Sequence, residues 1–318
     1  MKKTACIYTS ITGVGLIADV NLIINLIQAE YDVDVEYIDD INATRTVFGS
    51  YDIGIFLQEF GPEWLERNKK NIFIPNEEWL QSSKLQYIHL FDKVIVKSSF
   101  AKQLLIPYNK NTVNTGFVSY NRDLPAVKPK NKFLHLVGRS IQKGTEPTVK
   151  SFENTKQVCT VIDSTDFYNL KHKNINHING FLTKEQITYQ LNNHKIHLCC
   201  SVYEGWGHYL YEGLSTGALI YATKIPMFLE WLDPDLVVFV DCKFSVYDQQ
   251  IGFLKNPIER LETYCHQFGW VVDTSDLTSK IKNSTQLLKK HKPEKVKQFF
   301  KHLQEKNSKA LLENILHV

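Results

Sequence analysis

At 318 residues the chain is longer than one ordinary domain, and this length favours two compact units. Hydrophobic residues make up 43% and charged residues 22%, which excludes a disordered chain, and the net charge of +3 argues against a nucleic-acid-binding protein. No apolar stretch approaches the roughly 20 residues needed to cross a bilayer. The first apolar run ends in a glycine loop without a signal cleavage site, so we expect a soluble, cytoplasmic protein.

The first part of the chain alternates short apolar runs with stretches of helical periodicity. The runs predict strands at 4–9, 33–37, 52–57, 71–74, 93–96 and 113–118, with a helix at 16–30. Such alternation is typical of a parallel sheet flanked by helices. The segment 121–132 holds two prolines, several charges and little apolar content, so we place the interdomain linker there.

The same alternation begins again after the linker. It predicts strands at 133–137, 158–162, 175–178, 196–200, 218–222 and 236–240, and helices at 147–154, 209–215 and 293–315. We therefore expect an α/β protein of two Rossmann-like, doubly wound domains, spanning 1–125 and 126–295.

The most informative segment is 201–217, a loop and helix start that follow an apolar strand. Gly205 and Gly207 let the backbone pass close to a ligand, and a helix start offers N–H groups and a positive dipole end to a phosphate. Glu204 precedes the helix, and Glu212 is expected about two turns into it. This pattern predicts an anion site with carboxylates for two diol-bearing rings of one elongated ligand.

Glu204 and Glu212, separated by seven residues that include Gly205, Trp206 and Gly207, resemble the donor motif of the family 4 retaining glycosyltransferases. The run 136–144, which reads Leu-Val-Gly-Arg-Ser-Ile-Gln-Lys-Gly, is similar to the strand and loop that open this family's second domain. Segments 91–98 and 181–185 also resemble elements of the family. The resemblance covers most of the chain and implies the GT-B fold, in which two Rossmann-like domains face each other across a cleft.

The resemblance implies a role for each matched position. Arg139 and Lys143 would hold the donor diphosphate, because cations suit a pyrophosphate leaving group. Glu204 would lie near the transferred sugar and Glu212 on the nucleotide ribose. Backbone contacts to phosphate or sugar would come from Gly205, Trp206, Gly207 and His208. In the first domain, the loop that closes over the phosphates would contain Gly13 and Gly15.

The activity implied is a retaining transfer of a hexose-type sugar from a nucleoside diphosphate sugar to a glycan, lipid-linked or other hydroxyl acceptor. No metal and no cofactor besides the donor are expected. The leaving phosphate oxygen can accept the acceptor proton, while Arg139, Lys143 and the helix-end amides stabilise the developing charge. Loss of activity with EDTA would count against this expectation.

Some positions depart from the family pattern. His208 and Tyr209 stand where apolar residues are usual, and a first-domain His that lies beside the sugar in many relatives is missing. The loop at 75–79 reads Pro-Asn-Glu-Glu-Trp, and Asn76 or Glu77 is expected in that place, on the acceptor or sugar side. Glu77 suits the first turn of a helix equally well, where acids favour the dipole.

Two rival functions remain open at this point, and a third is discounted. One is a catalytically degenerate relative that binds a partner or glycan, and a second is a nucleotide-sugar epimerase on the same fold. A third class uses an Asp-x-Asp metal clamp, but we discount both such sequences, at 32–34 and 233–235, because the first starts a strand and the second is a proline turn. Nucleic acid stays open only as an acceptor of the sugar.

Cysteine and histidine usage gives no metal motif. The six cysteines form no C-x-x-C pair and are interpreted as reduced core thiols. His194 and His197 are close in sequence but have no third ligand nearby.

The end of the chain is basic. Residues 280–318 hold ten lysines and three acidic residues, so this segment either contacts an anionic membrane surface or is simply a solvated face. In folds similar to GT-B a terminal helix, here about 296–318, packs back on the first domain. Closure around the donor would then be a hinge motion between 121–132 and this helix.

Overall fold

The computed structural model describes residues 2–10, 14–38, 50–164, 168, 170–246 and 268–318. These residues divide into two compact units. The first contains residues up to 118 together with 304–318, and the second contains 119–246 together with 268–303. In the described part of the chain no helix is both long and apolar enough to span a membrane.

The first unit is built around a parallel six-stranded sheet. Its strands are β1 (Lys3–Thr9), β2 (Tyr31–Tyr37), β3 (Ile53–Leu57), β4 (Asn71–Ile74), β5 (Lys93–Val96) and β6 (Thr112–Asn114), and its helices include α1 (Val14–Ile27) and α2 (Ser99–Leu105). The strand order is β2-β1-β3-β4-β5-β6. Strands β3, β4 and β5 are buried along their whole length, which explains why their sequences are almost entirely apolar, with a polar residue only at the start of β4 and of β5.

The second unit also contains a parallel six-stranded sheet. Its strands are β7 (Lys130–Gly138), β8 (Cys159–Asp163), β9 (Ile175–Asn179), β10 (His194–Cys199), β11 (Leu219–Thr223) and β12 (Val238–Val240). The order β12-β11-β10-β7-β8-β9 is that of the Rossmann fold, 3-2-1-4-5-6 read from the other edge. A separate antiparallel pair is formed by β13 (Cys242–Val246) and β14 (Phe268–Val272).

Helices alternate with the strands of this second unit and continue to the end of the chain. They are α3 (Thr145–Lys150), α4 (Lys184–Asn193), α5 (His208–Ser215), α6 (Pro226–Trp231), α7 (Thr274–Lys282), α8 (Ser284–Lys290) and α9 (Pro293–Leu316). The last turn of α9 is held in the first unit by Lys93, whose Nζ donates to the carbonyl oxygens of Asn314 and His317 at 2.9 and 3.0 Å. A cation at carbonyls of a helix end also complements the helix dipole.

The predicted α/β class with two Rossmann-like sheets is confirmed, and the differences lie at element ends. Strand β6 stops at Asn114 because the side-chain Oδ1 of this residue accepts from Gly116 N at 3.0 Å and Gly116 turns the chain with a φ of 65°. Strand β7 begins at Lys130, inside the predicted linker, because it pairs there with His194 of β10.

Candidate functional site

The strand order of each sheet reverses at one point. In the second unit β7 lies between β10 and β8, so the loops after β7 and β10 leave the sheet beside each other. In open α/β sheets this switch point is where ligands bind. Six predicted residues lie in these two loops, namely Arg139, Lys143, Glu204, Gly205, Trp206 and Gly207.

The loop after β7 is fixed against the end of β10. Ser140 begins a short 3₁₀ turn, Ile141–Lys143, by accepting a hydrogen bond from Gln142 N. Gly144 follows with a φ of 64°, and a Cβ at this position would overlap the carbonyl oxygen of Cys200. Only glycine combines this positive φ with the absence of a Cβ. The resulting close approach of Gly144 to Cys200 places Lys143 next to the loop that carries Glu204.

Glu204 is buried and carries a hydrogen-bonded ion pair. Its Oε1 accepts from the Nζ of Lys143 and, at 2.6 Å, from the hydroxyl of Ser201. The same hydroxyl lies 2.8 Å from the hydroxyl of Tyr209, and the Lys143 ammonium lies 4.4 Å from the centre of the Tyr209 ring. The structure therefore joins Lys143 to Glu204, two residues that the family resemblance assigns to different parts of the ligand.

Arg139 differs from Lys143, since it is exposed. Its guanidinium carbon lies 5.5 Å from the centre of the Phe181 ring, which is 67% exposed. Within the described ranges no ion pair joins Arg139 to Glu204 or Glu212. An exposed cation and an exposed ring in contact leave both side chains accessible to a ligand.

Helix α5 begins at His208, directly after the glycine pair. Gly207 is its N-cap residue in a left-handed conformation, with φ 90° and ψ 54°, and no side chain caps the helix. An uncapped N-terminus leaves backbone N–H groups for water or an anion. Glu212 is the fifth residue of α5 and therefore lies just over one turn into the helix. The expected position, about two turns into the helix, was wrong because the helix starts only after Gly207.

The side chains of Trp206 and His208 are used within the protein. Trp206 Nε1 donates to the hydroxyl of Ser119 at 3.0 Å, and His208 Nδ1 lies 3.0 Å from the same oxygen. The Trp206 ring also stacks on Tyr211, with centroids 4.1 Å apart. These contacts fix the loop, and they leave its backbone as the part that can address a ligand.

Glu212 is also paired with a cation. Its Oε1 accepts from Arg122 Nη2 at 3.0 Å, and the guanidinium lies 4.9 Å from the centre of the Tyr120 ring. Both side chains are mostly buried. The sequence did not indicate Arg122, which lies in the predicted linker 90 residues before its partner.

In the first unit, Gly13 lies outside the described residues, and Gly15 is the exposed second residue of α1. A Cβ at Gly15 would meet open space, so the geometry there does not require glycine.

Asn76 belongs to a polar cluster at the carboxyl ends of β3, β4 and β5. Its Oδ1 accepts from Lys97 Nζ at 2.7 Å, and its Nδ2 donates to Gln58 Oε1 at 3.0 Å. Lys97 also donates to Asp19 at 3.0 Å, and both charged side chains are buried. Gln58 has a φ of 64°, an unusual conformation for a residue other than glycine and one often found at functional sites.

Glu77 is fully buried in a short 3₁₀ turn, Glu77–Trp79, that starts after Asn76. The sequence missed Lys97, Asp19 and Gln58. A signal was present for Lys97, since a charged residue directly follows the fully apolar end of a buried strand.

The described residues contain no group of three or more His, Cys, Asp or Glu side chains arranged to hold a metal ion. His194 and His197 are both buried in β10 and bonded to backbone carbonyls. Four cysteines within these ranges are buried free thiols, and Cys242 is half-buried.

No protein-family model and no curated protein sequence matches the chain. Solved structures do match. Sucrose-phosphate synthase from Thermosynechococcus elongatus superposes with a TM-score of 0.65 at 13% identity, covering 99% of this chain and 98% of that one. Anabaena HepE in complex with UDP and glucose gives 0.64 at 9% identity, covering 99% and 100%.

The lipopolysaccharide outer core galactosyltransferase WaaB gives a TM-score of 0.64 at 13% identity, covering 100% of this chain and 99% of that one. The agreement extends over the full length of each chain, with the same two parallel sheets. The chain therefore has the GT-B fold.

Proposed function

We propose that this chain is a metal-independent retaining glycosyltransferase, which moves a hexose-type sugar from a nucleoside diphosphate sugar to a hydroxyl group of a glycan or lipid-linked acceptor. The observation that carries the proposal is the second unit's switch point. There an uncapped helix start lies between two buried carboxylates, each of which is paired with a cation. The GT-B fold supports the same class of reaction.

The helix start and Lys143 suit the diphosphate of the donor. Backbone N–H groups at the start of α5 and the positive end of its dipole attract an anion. The Lys143 ammonium has three donors, so it can keep Glu204 and still bond a phosphate oxygen. Arg139 is exposed on the loop after β7 and supplies a second cation to the same leaving group.

The carboxylates suit the two sugar rings of such a donor. Glu204 lies at the Lys143 end and would accept from hydroxyl groups of the transferred sugar, while Glu212 would accept from the ribose. Among the similar structures, that of HepE contains UDP and glucose, a pair with these two kinds of ring.

The reaction itself needs few protein groups. The bond between the anomeric carbon and the phosphate oxygen breaks, and the acceptor oxygen attacks from the same face. The departing phosphate oxygen takes the acceptor's proton. Lys143, Arg139 and the helix N–H groups stabilise the negative charge that develops on the diphosphate.

A panel of nucleoside diphosphate sugars tests this proposal by thermal shift and by release of the nucleoside diphosphate, with and without EDTA. We expect one donor to stabilise the protein and to be slowly hydrolysed, with EDTA having no effect. Glu204→Gln and Arg139→Ala should each lower release by about 100-fold, whereas Lys84→Ala, which breaks an ion pair with Glu59 in the first unit, should not.

Binding without release would show a binding protein rather than a transferase. Absence of any response across the panel would contradict the proposal, and loss of release in EDTA would contradict its metal independence.

A further inference from the structure

Arg122 makes more contacts than a linker residue requires. Its guanidinium donates to Glu212 Oε1 at 3.0 Å through Nη2 and to Thr188 Oγ1 at 3.3 Å through Nη1. Its face also packs on the Tyr120 ring. The fork of the guanidinium thus connects helix α5, which carries Glu212, to helix α4, which carries Thr188.

The backbone of Arg122 is anchored independently of this side chain. Its N–H donates to Ser215 Oγ at 2.8 Å, and its carbonyl accepts from Asn192 Nδ2 at 2.6 Å. Asn192 Oδ1 also accepts from Leu124 N at 2.8 Å. Since these three hydrogen bonds already hold the segment on α4 and α5, the guanidinium is not needed to attach it.

The two oxygens of Glu212 are used differently. Oε1 is held by Arg122, whereas Oε2 accepts no hydrogen bond from the residues that the structure describes. The carboxylate is mostly buried, so its orientation depends on the Arg122 guanidinium that holds Oε1. The Nε of Arg122 is buried and has no hydrogen-bond partner in the same ranges. The guanidinium therefore holds Glu212 and Thr188 although this orientation leaves one of its N–H groups unpaired.

We propose that Arg122 is a positioning residue, which fixes the Glu212 carboxylate so that Oε2 is presented to the ribose hydroxyls of a nucleoside diphosphate. This inference rests on the proposed function and adds a source of specificity to it. Hydroxyl groups at C2′ and C3′ can both donate to a fixed carboxylate, and a ribose that lacks them leaves this buried acceptor unpaired. The site should therefore select ribonucleotides against their dideoxy forms.

Calorimetric titration with UDP, ADP and GDP, and with the 2′,3′-dideoxy form of whichever binds best, tests the role of Arg122. In Arg122→Ala we expect the ribonucleotide to bind about tenfold more weakly. The affinity for the dideoxy form should stay as in the wild type, because that ligand does not use Glu212. Arg122→Lys should restore only part of the loss, since a point charge cannot hold Glu212 and Thr188 together.

Arg67→Ala is the matched control. Arg67 also pairs with a buried glutamate, Glu36, at 3.2 Å and stacks on an aromatic ring, that of Trp64, but it lies in the first unit. Arg67→Ala should change neither the affinity for the ribonucleotide nor the affinity for its dideoxy form. If Arg122→Ala does not fold, Arg122→Gln, which keeps a donor and removes the charge, takes its place.

Equal weakening of both ligands in Arg122→Ala would overturn the inference, because it would assign Arg122 to the diphosphate or to the fold. Unchanged binding of the ribonucleotide would overturn it too, while leaving the proposed function intact. If the wild type binds no nucleoside diphosphate, the proposed function and this inference both fall.

Discussion

At the scale of single residues, the candidate site is defined by two buried carboxylates that each lie beside one cation. Burying a carboxylate costs several kcal/mol unless a partner compensates the charge. Lys143 does this for Glu204, and Arg122 does it for Glu212. The cations therefore stabilise the folded protein in addition to their proposed roles toward a donor, and the two effects can be separated by experiment.

Lys143→Ala should lower the free energy of unfolding by about 3 kcal/mol, because Glu204 is then left buried without its counter-charge. Lys143→Ala combined with Glu204→Gln should recover most of this loss, since the charge is removed with its partner. Denaturant unfolding of the two variants measures both values. A double variant as unstable as the single one would show that Lys143 stabilises the fold through packing instead.

Two buried histidines make the stability of the protein depend on pH. Burial lowers the pKa of His135 to about 4 and that of His197 to about 3. Nδ1 of His135 donates to Leu198 O at 3.0 Å, and the neutral Nε2 can then accept from Thr145 Oγ1 at 3.1 Å. Unfolded histidine titrates near 6.5, so below this pH the unfolded chain binds more protons than the folded one.

Stability should therefore fall as the pH drops from 6.5 towards 4, with each ring costing about 2 kcal/mol at pH 5. Thermal unfolding between pH 7 and 5 measures this slope. His135→Gln should make the slope shallower, whereas His89→Gln, at an exposed position, should not change it. An unchanged slope in His135→Gln would contradict the neutral buried state that we assign to this ring.

At the scale of elements, the approach of the loop after β7 to the end of β10 depends on one glycine. Gly138 and Gly144 flank this loop with nearly equal φ values, 60° and 64°, yet a Cβ at Gly138 would meet open space. The pair thus separates the cost of a left-handed conformation from the cost of steric overlap.

Gly138→Ala should cost about 1 kcal/mol of unfolding free energy, the price of the conformation alone. Gly144→Ala should cost at least about 3 kcal/mol, because its Cβ would overlap backbone that cannot move away, and it should also displace Lys143 from Glu204. Chemical denaturation of the two variants gives the comparison. Equal losses of unfolding free energy in the two variants would mean that the loop can move away from β10 without destabilising the protein.

The loops at the carboxyl ends of the strands could be predicted from sequence, whereas the residues that pair with their site side chains could not. Glu204, Gly207 and Glu212 stand in a local pattern after an apolar strand, which the sequence displays directly. The pairing of Arg122 with Glu212 depends on how the segment after residue 120 crosses helices α4 and α5. Local sequence periodicity carries no information about such a long-range arrangement. Lys97 and Asp19 are likewise brought together by the sheet, although they are 78 residues apart.

At the scale of the whole molecule, the fold was predictable because both sheets are parallel and their central strands are buried. Apolar runs separated by helical periodicity indicate such sheets with little ambiguity. Strand ends were less predictable, because they depend on side-chain contacts such as the turn at Asn114 and on partners such as His194. Solved structures at 9–13% identity show the same GT-B fold, so the architecture is retained although little of the sequence is shared.

Retention of the anomeric configuration is tested by proton NMR of the wild-type protein with the donor that stabilises it, recorded before the released sugar can mutarotate. We predict that the anomeric signal of the donor decays and that the first sugar formed has the same anomeric configuration as the donor. A donor signal that does not decay would contradict transferase activity, and a first product of inverted configuration would contradict a retaining reaction.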